Sequence, residues 1–273
     1  MKINKKLKVT VVVLIIAYMI PLGVMYFGQH KSEYQPKLKT QQEFEDVANT
    51  LGAEIVKYKT HDGLTNESLY FPAKDGYPIF LYFNGNAGTI EQAHIKFKPF
   101  IDEGYGVFVN VFRGFGANPG VPSEYDFFKD ADTVYDFVLH MGYAEDEEDI
   151  IIYGYSLGTG IAVHLSSQKP NSKSLIVEGG FTSATDVAKA WFPYLPVSLL
   201  LKDKYESEVY IQSISQPKLH LHGDIDLKVP TRFGRRLHEG ASEKKEFHLF
   251  EGGTHGNLQE LGSTQIIKNF IEN

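Results

Sequence analysis

Apolar positions cluster into short runs that predict buried strands at 78–83, 106–112, 150–155, 174–178 and 218–222. Stretches compatible with helix lie between and after them, at about 89–103, 123–141, 161–168, 231–239 and 263–271. Apolar and polar side chains alternate over 246–250, which predicts one more strand. Ahead of all these, 53–60 and 67–71 flank a His61-Asp62-Gly63 turn and predict an antiparallel hairpin. Strand–helix alternation of this kind predicts an α/β fold, with a mostly parallel central sheet flanked by helices. Ligands of such sheets bind outside the carboxyl ends of the strands.

The first residues follow a different pattern. Lys2, Lys5, Lys6 and Lys8 precede Val9 to Phe27, a stretch without a charged side chain. About 20 apolar residues span a bilayer core as a helix, and Pro21 and Gly23 are tolerable there. A cleaved signal peptide has a shorter apolar region and ends in a small-x-small site, which is not found near Phe27. An uncleaved signal-anchor is therefore expected, single-pass. The lysines hold the N-terminus in the cytoplasm and place the rest of the chain on the opposite side. Lys31, Lys37 and Lys39 on the far side work against that orientation, and a secreted or periplasmic chain after signal cleavage is the alternative. The domain plan is a cytoplasmic tail and anchor over 1–29, a polar stalk over 30–49 and one α/β domain over 50–273.

Composition narrows the field. A chain of 273 residues, 42% hydrophobic and 22% charged, has material for one large domain. A formal net charge of −7 argues against nucleic acid as a partner. Cysteine is absent, which removes disulfides, thiolate metal sites and a cysteine nucleophile.

The stretch around which the chemistry gathers is Ile150-Ile151-Ile152-Tyr153-Gly154-Tyr155-Ser156-Leu157-Gly158. A β-branched run passes without a spacer into Gly-x-Ser-x-Gly, and helix-compatible sequence follows. That is the context of a nucleophile elbow, a turn so sharp that bulky neighbours clash. Gly154 and Gly158 remove the clash, so the Ser156 hydroxyl can project above the sheet. The helix behind it offers free N–H groups to an oxyanion.

A serine hydroxyl needs a base, and the base needs an orienting acid. In hydrolases built on this sheet the chain order is Ser, then acid, then His. Of ten histidines, His238, His248 and His255 lie beyond the last acidic loop. His238 sits in a helix with Arg235 and Arg236, and His248 in an alternating strand. His255 lies in Gly252-Gly253-Thr254-His255-Gly256, a loop just past a strand end, and is the candidate base. The acid comes from His222-Gly223-Asp224-Ile225-Asp226, again directly after a strand. Asp224 and Asp226 compete, and spacing alone does not separate them.

These motifs, with Tyr82-Phe83-Asn84-Gly85-Asn86-Ala87-Gly88, Phe112-Arg113-Gly114-Phe115-Gly116 and Gly180-Phe181-Thr182-Ser183, resemble the α/β-hydrolase superfamily. Within it the chain resembles membrane-anchored serine hydrolases related to protein depalmitoylases and lysophospholipases. The resemblance covers residues 50–273. It implies that the acid is Asp226, with Asp224 second, and that the oxyanion hole is made by the backbone N–H groups of Asn86 and Leu157. It also implies a serine hydrolase of carboxylic ester or thioester bonds in lipid-derived acyl substrates, needing no cofactor and no metal. The family has His-Gly where this chain has Asn84-Gly85, which puts the geometry of that loop in question.

A small cap insertion is expected at about 181–212, where Trp191, Phe192 and Leu195 stand beside prolines as candidates for an apolar acyl pocket. A small-ester carboxylesterase, an aminopeptidase-like hydrolase and a non-catalytic binding protein on the same fold are the competing functions. His220 and His222 form a His-x-His pair without a third ligand, so a structural role is expected. Asn66-Glu67-Ser68 matches the glycosylation tripeptide but falls in an expected strand. Partners reduce to a small-molecule or lipid acyl substrate and a membrane, with oligomeric state left open.

Overall fold

A computed structural model describes residues 5–272; Lys2, counted above among the basic residues of the tail, lies outside them. Eight strands form one sheet: β1 (Glu54–Lys59), β2 (Thr65–Phe71), β3 (Ile79–Phe83), β4 (Gly106–Asn110), β5 (Ile150–Tyr155), β6 (Ser174–Glu178), β7 (Lys218–Gly223) and β8 (Lys245–Phe250). Their spatial order is β1-β2-β4-β3-β5-β6-β7-β8. The β1–β2 and β2–β4 pairs are antiparallel, and every later pair is parallel. All positions of β3, β4 and β6 are buried, as befits parallel strands covered on both faces. The chain crosses from β3 to β4 on one side and later reaches β5 on the other. The loops after β3 and β5 therefore meet at a topological switch point.

Among the described residues, ten α-helices surround the sheet or precede it: α1 (Lys5–Glu33), α2 (Gln41–Leu51), α3 (Ile90–Glu103), α4 (Glu124–His140), α5 (Leu157–Gln168), α6 (Ala184–Trp191), α7 (Val197–Leu200), α8 (Ser207–Tyr210), α9 (Thr231–Gly240) and α10 (Ser263–Glu272). Local chemistry sets several of their ends. Thr89 and Gln92 form a capping box at the start of α3, and the Ser123 hydroxyl accepts the Asp126 N–H at the start of α4. The elbow helix α5 starts at Leu157, earlier than the expected 161, because Ser156 itself occupies the N-cap position.

The polar stalk expected over 30–49 is corrected. Thr40 and Glu43 form a capping box, Gly52 closes α2 in the left-handed region at φ 70°, and Phe44 and Ala48 are fully buried. Tyr34 is buried too, its hydroxyl against Asp203 and Tyr205. Further on, Lys39 N–H donates to Gly116 O and Gly116 N–H to Lys37 O. The segment after α1 is thus packed onto the domain.

Away from the switch point, Arg113 is enclosed by carboxylates: Asp130 at 2.7 Å, Asp62 at 3.0 Å and Asp126 at 3.4 Å. The guanidinium already supplies the positive charge among His61, Asp62 and Asp130, whose ligand atoms otherwise lie close enough for a metal. Asn66 is fully buried in β2, which closes the glycosylation tripeptide to modification in the folded chain.

Candidate active site

The turn from β5 into α5 is as tight as the glycine pattern requires. A Cβ on Gly154 would stand 2.6 Å from Gly158 O, and one on Gly158 would stand 2.0 Å from Phe83 O. Ser156 itself has φ 52° and ψ −121°, a conformation that costs a non-glycine residue roughly 1–3 kcal/mol. Neighbouring bonds hold it there: Ser156 N–H donates to Glu178 O at 2.9 Å, and the Thr159 hydroxyl donates to Ser156 O at 2.7 Å.

His255 bridges this serine to the acid loop. Its Nε2 lies 2.8 Å from Ser156 Oγ and its Nδ1 lies 2.7 Å from Asp226 Oδ2. The carboxylate accepts from Nδ1–H, which leaves Nε2 as the acceptor for the serine hydroxyl. Asp226 is 5% exposed, and its other oxygen accepts the N–H groups of Lys228 and Val229 at 2.9 Å each. Burial opposes ionisation of this carboxyl. The His255 hydrogen bond and charge, with the Val229 N–H, outweigh it and hold Asp226 below the usual carboxylate range. Asp224 is exposed, with its N–H on Phe250 O. Geometry thus separates the two aspartates that spacing left open.

Residues without a motif complete the setting. The Tyr155 hydroxyl donates to His255 O at 2.9 Å, and burial, then Glu178, raises its pKa. Gly179, at φ 62°, lies under the imidazole, where a Cβ would stand 3.1 Å from His255 Cε1. Asn257 Oδ1 accepts both the N–H and the hydroxyl of Thr254 and so shapes the histidine loop. No sequence motif points to Tyr155 or Asn257; Gly179 sat in plain view, one residue past an expected strand end.

The loop after β3 closes the other side. Asn84 Oδ1 accepts Gly85 N–H at 2.8 Å and the Tyr82 hydroxyl at 3.0 Å, and its amide donates to Thr89 O at 3.2 Å. The asparagine that replaces the family's histidine therefore folds the loop by its own side chain. Neither Asn86 N–H nor Leu157 N–H has a hydrogen-bond acceptor among the described residues, and both residues face the cavity beside Ser156.

That cavity has a volume of about 710 Å³, within the range of small-molecule sites. Phe192 and Leu195 line it. Trp191 does not: it is 57% exposed, and its indole N–H reaches Lys228 O at 3.3 Å. The C-terminal turns of α1 line the cavity as well, through Pro21, Val24, Met25 and Gly28. The apolar run over 9–27 had placed Pro21, Val24 and Met25 in the membrane alone.

His220 and His222 part company. His222 Nε2–H donates to Val229 O at 2.9 Å, bracing the acid loop, while His220 packs beside His238 with ring centroids 5.1 Å apart.

A mostly parallel sheet with a strained serine turn after β5, met by histidine and acid loops after β8 and β7, defines the α/β hydrolases. Comparison with known proteins agrees. The chain is 32% identical over 212 residues to an uncharacterised protein of Mycobacterium tuberculosis, covering 77% of this chain and 74% of that one. Protein bem46 of Schizosaccharomyces pombe is 29% identical over 271 residues, 93% of this chain and 89% of that one. The lysophosphatidylserine lipase ABHD12 of Rattus norvegicus is 31% identical over 195 residues, and the match spans 64% of this chain but 48% of the lipase. No family model matches the chain. Among solved structures, 2,6-dihydroxy-pseudo-oxynicotine hydrolase superposes with TM-score 0.68 at 19% identity, covering 84% of this chain and 72% of that one. An esterase of Pyrococcus furiosus gives TM-score 0.65 at 16% identity, covering 82% and 93% respectively. The chain belongs to the α/β-hydrolase superfamily.

Proposed function

We propose that the chain is a membrane-anchored serine hydrolase that cleaves carboxylic ester or thioester bonds of lipid-derived acyl substrates. The observation that carries this reading is the unbroken chain Asp226–His255–Ser156, with links of 2.7 and 2.8 Å, opening into a cavity lined mostly by apolar side chains, with Gln29, Ser32 and Glu33 of α1 among the polar ones.

In this reading Ser156 Oγ attacks the substrate carbonyl carbon while His255 Nε2 takes its proton. Asp226 fixes the imidazole tautomer and stabilises the imidazolium. The Asn86 and Leu157 N–H groups receive the oxyanion, the term that dominates most acyl transfers. Collapse expels the alcohol or thiol, which takes the proton back from His255. Water then attacks the acyl-serine with His255 as base again, and the carboxylic acid leaves.

The membrane part of the reading rests on α1. Its residues Lys8–Glu33, with mean hydropathy 2.4 in their most apolar window, are long and apolar enough to cross a bilayer. The lysines before Val9 place the N-terminus in the cytoplasm and the catalytic domain across the membrane.

A series of p-nitrophenyl esters from acetyl to palmitoyl tests the substrate class. Turnover rising with chain length, with an initial burst from acyl-enzyme, is expected. Turnover peaking at acetyl or butyryl overturns the lipid reading in favour of a small-ester carboxylesterase. Preference for an aminoacyl amide overturns it in favour of an aminopeptidase-like enzyme.

A further inference from the structure

The apolar helix that resembles a plain anchor is part of the cavity. Pro21, Val24, Met25 and Gly28 line it from one side, and Phe192, Leu195 and Leu201 of the cap line it from another. Hydrogen bonds clasp helix and cap together. Gln29 donates to Leu200 O at 3.0 Å and accepts from Lys202 N–H at 2.8 Å, and Tyr18 donates to Tyr194 O at 3.1 Å. The contacts at Gln29 and Tyr18 are about 16 Å apart along the helix, so the cap runs beside it toward the membrane.

Depth follows from length. The part of the apolar run that does not line the cavity, Val9 to Ile20, reaches only about 18 Å as a helix, against a bilayer core of about 30 Å. Crossing the core therefore requires Pro21 to Phe27 to lie within it, and these residues include part of the cavity wall. The cap surface fits that depth. Ala190 to Leu201 carries no charged side chain and is bracketed by Lys189 and Lys202, while Tyr194 is 88% and Leu199 83% exposed. A tract that is apolar, exposed and flanked by lysines suits the headgroup–acyl boundary. On the protein side, Gln35 N–H donates to Asn86 O at 3.0 Å, tying the segment after α1 to the loop proposed to hold the oxyanion.

We propose that the Pro21–Gly28 face of α1 and the inserted cap together form the acyl-binding site. The acyl chain of a membrane-resident ester or thioester enters it sideways from the lipid, without passing through water. The inference rests on the ester-hydrolase and anchor readings above, and it assigns α1 a role in binding as well as in tethering.

Two glycines on α1 make it testable. A Cβ on Gly28 or on Gly23 meets nothing within 4 Å, so neither helix position resists a side chain, but only Gly28 lines the cavity. The full chain would be reconstituted in dioleoyl-phosphatidylcholine vesicles as parent, Gly28→Phe and Gly23→Phe. Palmitoyl- and acetyl-ester turnover would be measured for each. Gly28→Phe is expected to lower the palmitoyl-to-acetyl ratio at least about tenfold, the effect of displacing even one methylene from a tight apolar pocket. Gly23→Phe should keep the parental ratio. An unchanged ratio in Gly28→Phe, or an equal fall in both variants, overturns the proposal. A second readout does not depend on catalysis: Ser156→Ala in the same vesicles, photolysed with palmitate carrying a mid-chain diazirine. Cross-links at Met25 and Leu195 that disappear on adding Gly28→Phe support the site even if the serine reading fails. Cross-links confined to 9–20 overturn it even if that reading holds.

Discussion

Beneath the serine turn lies a buried ion pair whose removal is the most informative structural perturbation. Lys96 Nζ stands 2.5 Å from Glu178 Oε2, with the two side chains 17% and 2% exposed. The Tyr153 hydroxyl donates to the same carboxylate, and the backbone carbonyl of Glu178 accepts the Ser156 N–H. Lys96 also lies 5.0 Å over the Tyr155 ring, the side chain that supports the His255 loop. Lys96→Met leaves the carboxylate desolvated with one neutral donor. Breaking one partner of a buried pair costs about 3–5 kcal/mol, and the lower edge applies because Lys96 keeps some access to solvent. For a chain of this size that is a fall in Tm of roughly 6–12 °C. Glu178→Gln should cost less, about 1–2 kcal/mol, since Lys96 can turn toward water and the amide oxygen still accepts from Tyr153. The double variant removes both charges, so it should be less destabilised than the sum by at least about 2 kcal/mol. Urea unfolding of the parent and the three variants measures the coupling. Additivity within about 0.5 kcal/mol would refute a desolvated pair.

Further outcomes follow from the site. Asp226→Asn keeps the acceptor for Lys228 and Val229 N–H but offers His255 Nδ1 an amide donor, forcing the wrong tautomer; kcat should drop about 10⁴-fold with Tm nearly unchanged. Gly85→Ala places a Cβ 3.2 Å from Ser156 Cβ and 3.3 Å from the Tyr155 ring, so the loop after β3, proposed to hold the oxyanion, must shift; kcat should fall about 10²-fold while circular dichroism stays native. Gly158→Ala, with its Cβ 2.0 Å from Phe83 O, should fail to give soluble folded chain, and a cooperative melt like the parent's would contradict the elbow geometry. His220 is pushed down to about 3 by burial, then by His238 and Lys218. The unfolded chain binds its proton first as pH falls below about 6.5, so stability is lost from there toward pH 3. Between pH 7 and 5 the parent should lose about 2 kcal/mol more than His220→Leu in urea titrations.

The chemistry was more legible in the sequence than the cavity was. The Ser156 elbow announces itself because a β-branched strand, two glycines and a helix must be adjacent for the turn to exist. His255 stands out because it alone among the late histidines occupies a loop after a strand. Spacing left Asp226 and Asp224 level and only the resemblance favoured Asp226; in the structure Asp226 is the one that meets His255, while Asp224 is exposed. The helix at Gln41–Leu51 carried its own signals, the Thr40–Glu43 capping box and the spacing of Phe44, Val47, Ala48 and Leu51, masked by a polar overall composition. Trp191 failed as a pocket residue because cap packing decides which aromatic turns inward. The role of α1 as a wall was invisible for another reason. Its run from Val9 to Phe27 is apolar on every side, so no periodicity marks the face that meets protein rather than lipid.

The central claim is an activated serine at position 156, and fluorophosphonate labelling of the full-length chain tests it most directly. The parent should be labelled at Ser156 alone, Ser156→Ala should not be labelled, and His255→Ala should react at least about 100-fold more slowly. A folded parent that does not react, or labelling that persists in Ser156→Ala, would contradict the account and leave a non-catalytic binding protein on a hydrolase scaffold.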